Sequence, residues 1–133
     1  MVDKFYNIGK KLFPLNRSIT GKGTLKSLQI ISKNFKKFKI KRIQSGKKVF
    51  DWKVPPEWNV KEAYILDKNN KKIIDFKINN LHLVGYSKKA KLILTKDEFL
   101  KKLHSLDKYP NAIPYITSYY RKYWGFCVTE NFK

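Results

Sequence analysis

Residues 50–76, FDWKVPPEWNVKEAYILDKNNKKIIDF, decide how this chain is read. They hold two of the three tryptophans, Trp52 and Trp58, and the pair Pro55 and Pro56. Two apolar runs, at 63–66 and 73–76, flank a polar turn centred on Asn69 and Asn70. Asparagine tolerates a positive φ, so the pattern predicts a β-hairpin. The prolines fix φ and donate no backbone hydrogen bond, so residues 52–54 are expected to end in an extended or turn segment. The stretch reads as the centre of a small β-rich unit.

Outward toward the N-terminus, residues 38–43, FKIKRI, alternate apolar and basic side chains. A period of two predicts a half-buried strand with a cationic outer face. Residues 45–48 turn the chain into a second expected strand at 49–52. Residues 24–35 place Leu25, Leu28, Ile31 and Phe35 on one helical stripe, with Thr20 or Thr24 as the expected cap. Residues 2–13 predict a short amphipathic helix through Phe5, Ile8 and Leu12, ended by Pro14. Between the helices lies LNRSITGKG, residues 15–23. A phosphate-binding loop has its lysine after the second glycine and follows a buried strand. Here Lys22 lies between Gly21 and Gly23 and a helix precedes, so a connecting turn is expected.

Outward toward the C-terminus, residues 81–86, LHLVGY, predict another strand. Thr95 followed by Asp97 and Glu98 reads as a helix start, with the helix expected to run to about Leu106. Residues 112–116 are expected to be extended. The last distinctive segment, 117–128, is TSYYRKYWGFCV. The expected fold class is α+β: helices near both ends and about six short, mostly antiparallel strands. Three regions are expected: a helical segment at 1–36, a β-rich domain at 37–94, and a helix with the aromatic segment at 95–133.

With 133 residues the chain is long enough for one domain with a real core. Aromatic residues are 15% of it, so large rings are expected to fill that core. Thirty Lys and Arg against ten Asp and Glu give a net charge of +20. Such a balance suits an acidic partner such as nucleic acid, but lysine spread along the whole chain also follows from biased composition. The densest basic cluster includes Lys36, Lys37, Lys39, Lys41, Arg42, Lys47 and Lys48, the candidate anion-binding residues. The competing role is a solvated sheet face on which lysine deters edge pairing. One cysteine, Cys127, excludes an intrachain disulfide and fits a reducing compartment. No apolar run approaches the ~20 residues that span a bilayer, and the N-terminus has no signal-peptide core. A cytoplasmic protein without a membrane partner is expected.

Chemistry is sparse. His82 and His104 lie far apart in sequence, with no zinc-ligand spacing between them. His82 is expected to point out of a sheet, and His104 to face solvent. Cys127, between Phe126 and Val128, reads as a small buried residue and not as a nucleophile. Tyr119, Tyr120 and Trp124, around Arg121 and Lys122, are candidate stacking residues for bases or sugars. Their alternative role is an aromatic wall of the core.

Four segments in order, LFPLNRSITGKGT, VFDWKVPPEWNVKEAYI, NLHLVGYS and NAIPYITSYYRKYWGFC, resemble one family. They are similar to the N-terminal part of bacterial aminopeptidase-like proteins of the co-catalytic zinc exopeptidase superfamily, often found with surface-polysaccharide genes. The resemblance runs from about Leu12 to Val128 and implies an α/β peptidase domain with an inserted β-rich domain. It implies zinc for full-length relatives, whose ligands begin with an H-x-x-H-P motif after the G-F-C segment. This sequence reaches Lys133 without that motif, so no catalytic residue or metal ligand is carried over. The expectation is a truncated portion of an aminopeptidase-like protein, inactive alone, with no cofactor of its own. Its expected partners are a separately encoded remainder of the peptidase domain, or a second copy through an exposed aromatic tail at 119–128. A standalone basic module for nucleic acid or another polyanion is the alternative.

Overall fold

The central hairpin forms as its sequence predicts. β3 (Tyr64–Leu66) and β4 (Lys72–Asp75) pair antiparallel, with Ile65 opposite Ile74 and a register shift at Leu66. Asn70 takes φ 60°, the left-handed conformation that asparagine accepts cheaply. Asp67 closes the turn: its Oδ1 accepts from the amides of Asn69 and Lys71, and its own amide donates to the Lys71 carbonyl. The computed structural model describes residues 2–133, and the chain divides into two compact units, Met1–Val60 and Lys61–Lys133.

In the first unit, α1 (Val2–Leu12) and α2 (Lys22–Ser32) are neighbours. Ile8 and Ile30 line the groove between them, together with Lys4, Lys11 and Lys33. Neither Thr20 nor Thr24 caps α2. Gly21 occupies that position, while the Thr20 hydroxyl donates to the Pro56 carbonyl and that of Thr24 to the Ser18 carbonyl. The strand expected at 38–43 does not form, and those residues are irregular. The strand expected at 49–52 is instead a turn: β1 (Lys48–Val49) and β2 (Trp52–Lys53) pair across Phe50 and Asp51, with Phe50 at φ 54°. The physical reason is where the backbone bonds go. The Gly46 amide donates to the Val54 carbonyl and the Val54 amide to the Lys47 carbonyl, which closes a local hairpin and leaves residues 38–43 without a ladder.

The second unit holds the core. Ile74, Leu103, Phe126 and Val128 are buried together, with Ala63, Ile65, Leu83, Phe99, Leu100 and Trp124 packed around them. Burying one such side chain stabilises by roughly 1.5–3 kcal/mol, so this cluster dominates the energetics of its unit. At its centre is β6 (Phe126–Cys127), parallel to β5 (Leu103–His104) and bridged antiparallel to Leu83. Residues 81–86 are therefore not a continuous strand. A 3-10 turn at Asn80–His82, started by the Asn79 side chain, precedes two isolated bridges. The helix expected to run to about Leu106 is shorter: α3 (Lys96–Leu100) ends after five residues, and Leu103 and His104 pair with β6 instead. The aromatic tail divides: Tyr119 is exposed, whereas Phe126, Cys127 and Val128 are buried within the unit's own core. The result is an α+β chain with short helices and small sheets.

Candidate functional site

The loop at 15–23 spends its polar groups on partners within its own unit. The Ser18 hydroxyl donates to the Thr20 carbonyl, and the Lys22 amide donates to Asn59 Oδ1 at 2.7 Å. Its two glycines are there for close approach. A Cβ on Gly21, at φ 138°, would lie 2.8 Å from the Trp58 carbonyl oxygen. A Cβ on Gly23 would lie 1.8 Å from that of Asn16. The sequence motif thus locks the entry to α2 against the Pro55–Asn59 region and leaves no open cradle for an anion.

The candidate anion-binding residues Lys36, Lys37, Lys39, Lys41, Arg42, Lys47 and Lys48 are all exposed, on the irregular segment and on the β1 edge. No ion pair among the described residues involves them; the one pair that forms is Lys72 with Asp75, 2.9 Å apart.

The second unit gathers the remaining candidates. Tyr86 is buried, and its ring stacks on Tyr119 at 5.6 Å and meets Tyr120 at 4.6 Å. All three residues have positive φ: 65°, 45° and 66°. Bulky side chains adopt that region at a cost of roughly 1–2 kcal/mol each, so the surroundings must impose it. Those surroundings are the Gly85–Thr117 bridge and the buried Ser118, whose amide and hydroxyl both donate to the Gly85 carbonyl. Trp124 lies elsewhere, against the core, with Lys102 Nζ 5.4 Å from its ring.

His104 does not face open solvent. It is half-buried, and its Nε2 lies 2.7 Å from the Tyr123 hydroxyl. Burial, then the charges of Lys133 and Lys102, hold its pKa below the ordinary 6.5. Burial likewise pushes the Tyr123 hydroxyl upward, so the phenol stays protonated beside the ring. His82 is drawn inward too, its Nδ1 lying 2.8 Å from the Cys127 carbonyl oxygen. Cys127 is fully buried and its thiol is pushed up to about 11 by burial, the inert small residue its apolar neighbours predict. Glu130 keeps Oε2 buried without a hydrogen-bond partner, which no pattern in the sequence signals.

No group of three or more His, Cys, Asp or Glu that could hold a metal ion exists among the described residues. The two imidazoles serve structural hydrogen bonds in separate places, so these side chains do not fit a zinc ion. No helix among the described residues is long and apolar enough to cross a membrane.

Residues 57–133 match the profile of a family described as a domain of unknown function, DUF2172. A Clostridium acetobutylicum protein is 46% identical over 128 residues, which are 96% of this chain and 29% of that protein. It carries the provisional name of a polysaccharide biosynthesis protein with an aminopeptidase-like domain. A crystal structure from the same organism, provisionally named a peptidase, matches with a TM-score of 0.91 at 46% identity. The match covers 97% of this chain and 30% of the solved one. The resemblance to aminopeptidase-like proteins linked with polysaccharide biosynthesis holds, and the chain corresponds to a portion of such a longer protein.

Proposed function

This chain belongs to the DUF2172 family, and on that premise we propose that it is the non-catalytic portion of an aminopeptidase-like hydrolase. One observation carries the reading: nearly all of the chain superposes on 30% of a much longer solved protein of peptidase name. The engagement of His82 and His104 in structural bonds supports it from the side of chemistry. In this reading zinc and the hydrolytic water belong to polypeptide outside these 133 residues, and the reaction is hydrolysis of an amide bond by metal-activated water. The setting is surface-polysaccharide synthesis in the cytoplasm, the second resting on one buried, unpaired cysteine.

The test uses the purified chain alone. Calorimetric titration with zinc and an assay on aminoacyl p-nitroanilides are expected to show neither tight uptake nor cleavage. Stoichiometric zinc binding with hydrolysis would overturn the reading.

A second reading has its own observation: seven exposed cations within residues 36–48 without an ion-pair partner among the described residues. They suit a polyanion. Phosphate contacts make affinity fall steeply with salt, so a filter-binding titration of RNA and of heparin starting near ~50 mM salt decides it. Absence of binding there removes this reading.

A further inference from the structure

The first unit has almost no core of its own. Among its described residues, Val54 is the one buried apolar side chain, and the other buried residue is Ser27. Yet it carries large apolar residues in quantity: Phe5, Tyr6, Phe13, Phe35, Phe50 and Trp52 are all exposed. A unit of about 60 residues is marginal even when well packed. Exposed rings in such number on a unit without an interior mark a surface meant to be covered.

The exposure is patterned on α1. At 100° per residue, Val2, Phe5, Tyr6 and Gly9 fall within an arc of about 100°, together with Phe13, one residue past α1, whose amide still donates to the Gly9 carbonyl. Their large side chains are 81%, 65%, 64% and 85% exposed for Val2, Phe5, Tyr6 and Phe13. Ile8, which lines the groove toward α2, lies outside that arc. No residue of α1 is buried. The helix therefore has two apolar aspects, one turned to α2 and a larger one turned to nothing in its own unit. Gly9 flattens the centre of the second, with no atom within 4 Å of where its Cβ would stand.

What covers this face is indicated by length. The solved relative holds this same conformation, at a TM-score of 0.91, within a chain of which the match is only 30%. The larger part of that polypeptide is available to supply the missing interior. We propose that the α1 face formed by Val2, Phe5, Tyr6 and Phe13 is a docking surface for the aminopeptidase-like remainder of the longer polypeptide. The proposal rests on the reading of the chain as a portion of such a hydrolase. It adds that the first unit completes its core only on that remainder.

The experiment co-expresses the tagged 133-residue chain with the rest of the Clostridium acetobutylicum relative as a separate polypeptide. Expected is a one-to-one complex, weakened about tenfold or more by Phe5→Glu or Phe13→Glu, a loss typical of central apolar anchors. Ile93→Glu, on an exposed residue of the other unit, is expected to leave it intact. A complex indifferent to both α1 substitutions overturns the docking surface and leaves the functional reading standing. Two well-behaved polypeptides that never associate overturn both. Hydrogen exchange on the chain alone is a second measurement that needs no remainder. Amides of α1 are expected to exchange within seconds, and protection of about a hundredfold or more in a monomer overturns the proposal. Protection that appears only in a dimer, or only on anionic phosphatidylglycerol vesicles, overturns it in favour of a second copy or a lipid surface.

Discussion

Single atoms decide several properties of this chain. Gly23 sits where a Cβ would overlap the Asn16 carbonyl oxygen, at 1.8 Å, and backbone on both sides prevents relief. Gly23→Ala is expected to cost about 3 kcal/mol in urea denaturation, as overpacking against rigid backbone does. Gly9→Ala, with open space around it, should instead gain about 0.5–1 kcal/mol through helix propensity. Cys127 is buried with its thiol held as the protonated form, pushed up to about 11. It is expected to ignore a thiol reagent at neutral pH and to react fully only in denaturant; brisk labelling of the folded chain would contradict its placement. His104 titrates with a definite sign. Its folded pKa lies below 6.5, because burial and two lysine charges disfavour the imidazolium. The unfolded ring therefore binds protons more readily. Its contribution to stability is complete above about 6.5 and is lost as pH falls through the lower folded value. Urea midpoints across that window should decline in the parent chain, and less so in His104→Gln.

Among the elements, the ones legible in the sequence are those whose signal is local. Asn69 and Asn70 mark the β3–β4 turn because a left-handed residue is needed there, and Asn70 takes it. Thr95 and Glu98 mark the start of α3 and form a reciprocal capping box: the Glu98 carboxylate accepts from the Thr95 amide at 2.9 Å. Thr95→Ala is expected to cost about 1 kcal/mol, and Glu98→Gln less, in thermal melts. What the sequence hides is decided elsewhere in the chain. The alternation at 38–43 looks like a strand, but the hairpin after it closes on itself, the Gly46 amide on the Val54 carbonyl and the Val54 amide on the Lys47 carbonyl. The run at 81–86 looks like a strand and becomes bridges, because β6 needs one neighbour on each side and takes Leu83 on one and Leu103 on the other. The candidate site is less legible still. Tyr119 and Tyr120 are visible as an aromatic pair, but their stacking with Tyr86, and the positive φ all three share, depend on a bridge between Gly85 and Thr117.

For the molecule as a whole, charge is the property that no packing detail alters. Thirty basic residues against ten acidic ones leave +20 on 133 residues. A single ion pair, Lys72 with Asp75, forms among the described residues, with its lysine exposed. Like charges that share a compact volume repel, and unfolding relaxes that repulsion. Salt screens it within a Debye length of ≈ 8 Å at physiological ionic strength, so added salt should stabilise this chain. Melting temperature is expected to rise by a few degrees between about 20 and 200 mM sodium chloride. The identity of the anion then separates diffuse repulsion from a built site on residues 36–48. Under simple screening, sulfate and chloride at equal ionic strength act alike, apart from the general strengthening of apolar burial by sulfate. That general effect survives neutralisation of single lysines, whereas specific capture does not. If Lys39→Gln with Lys41→Gln removes an excess of sulfate over chloride, the exposed cations form a binding surface; if the excess is unchanged, they act only as diffuse charge. A melting temperature indifferent to salt would show that the excess of lysine is spread too thinly to strain the fold at all.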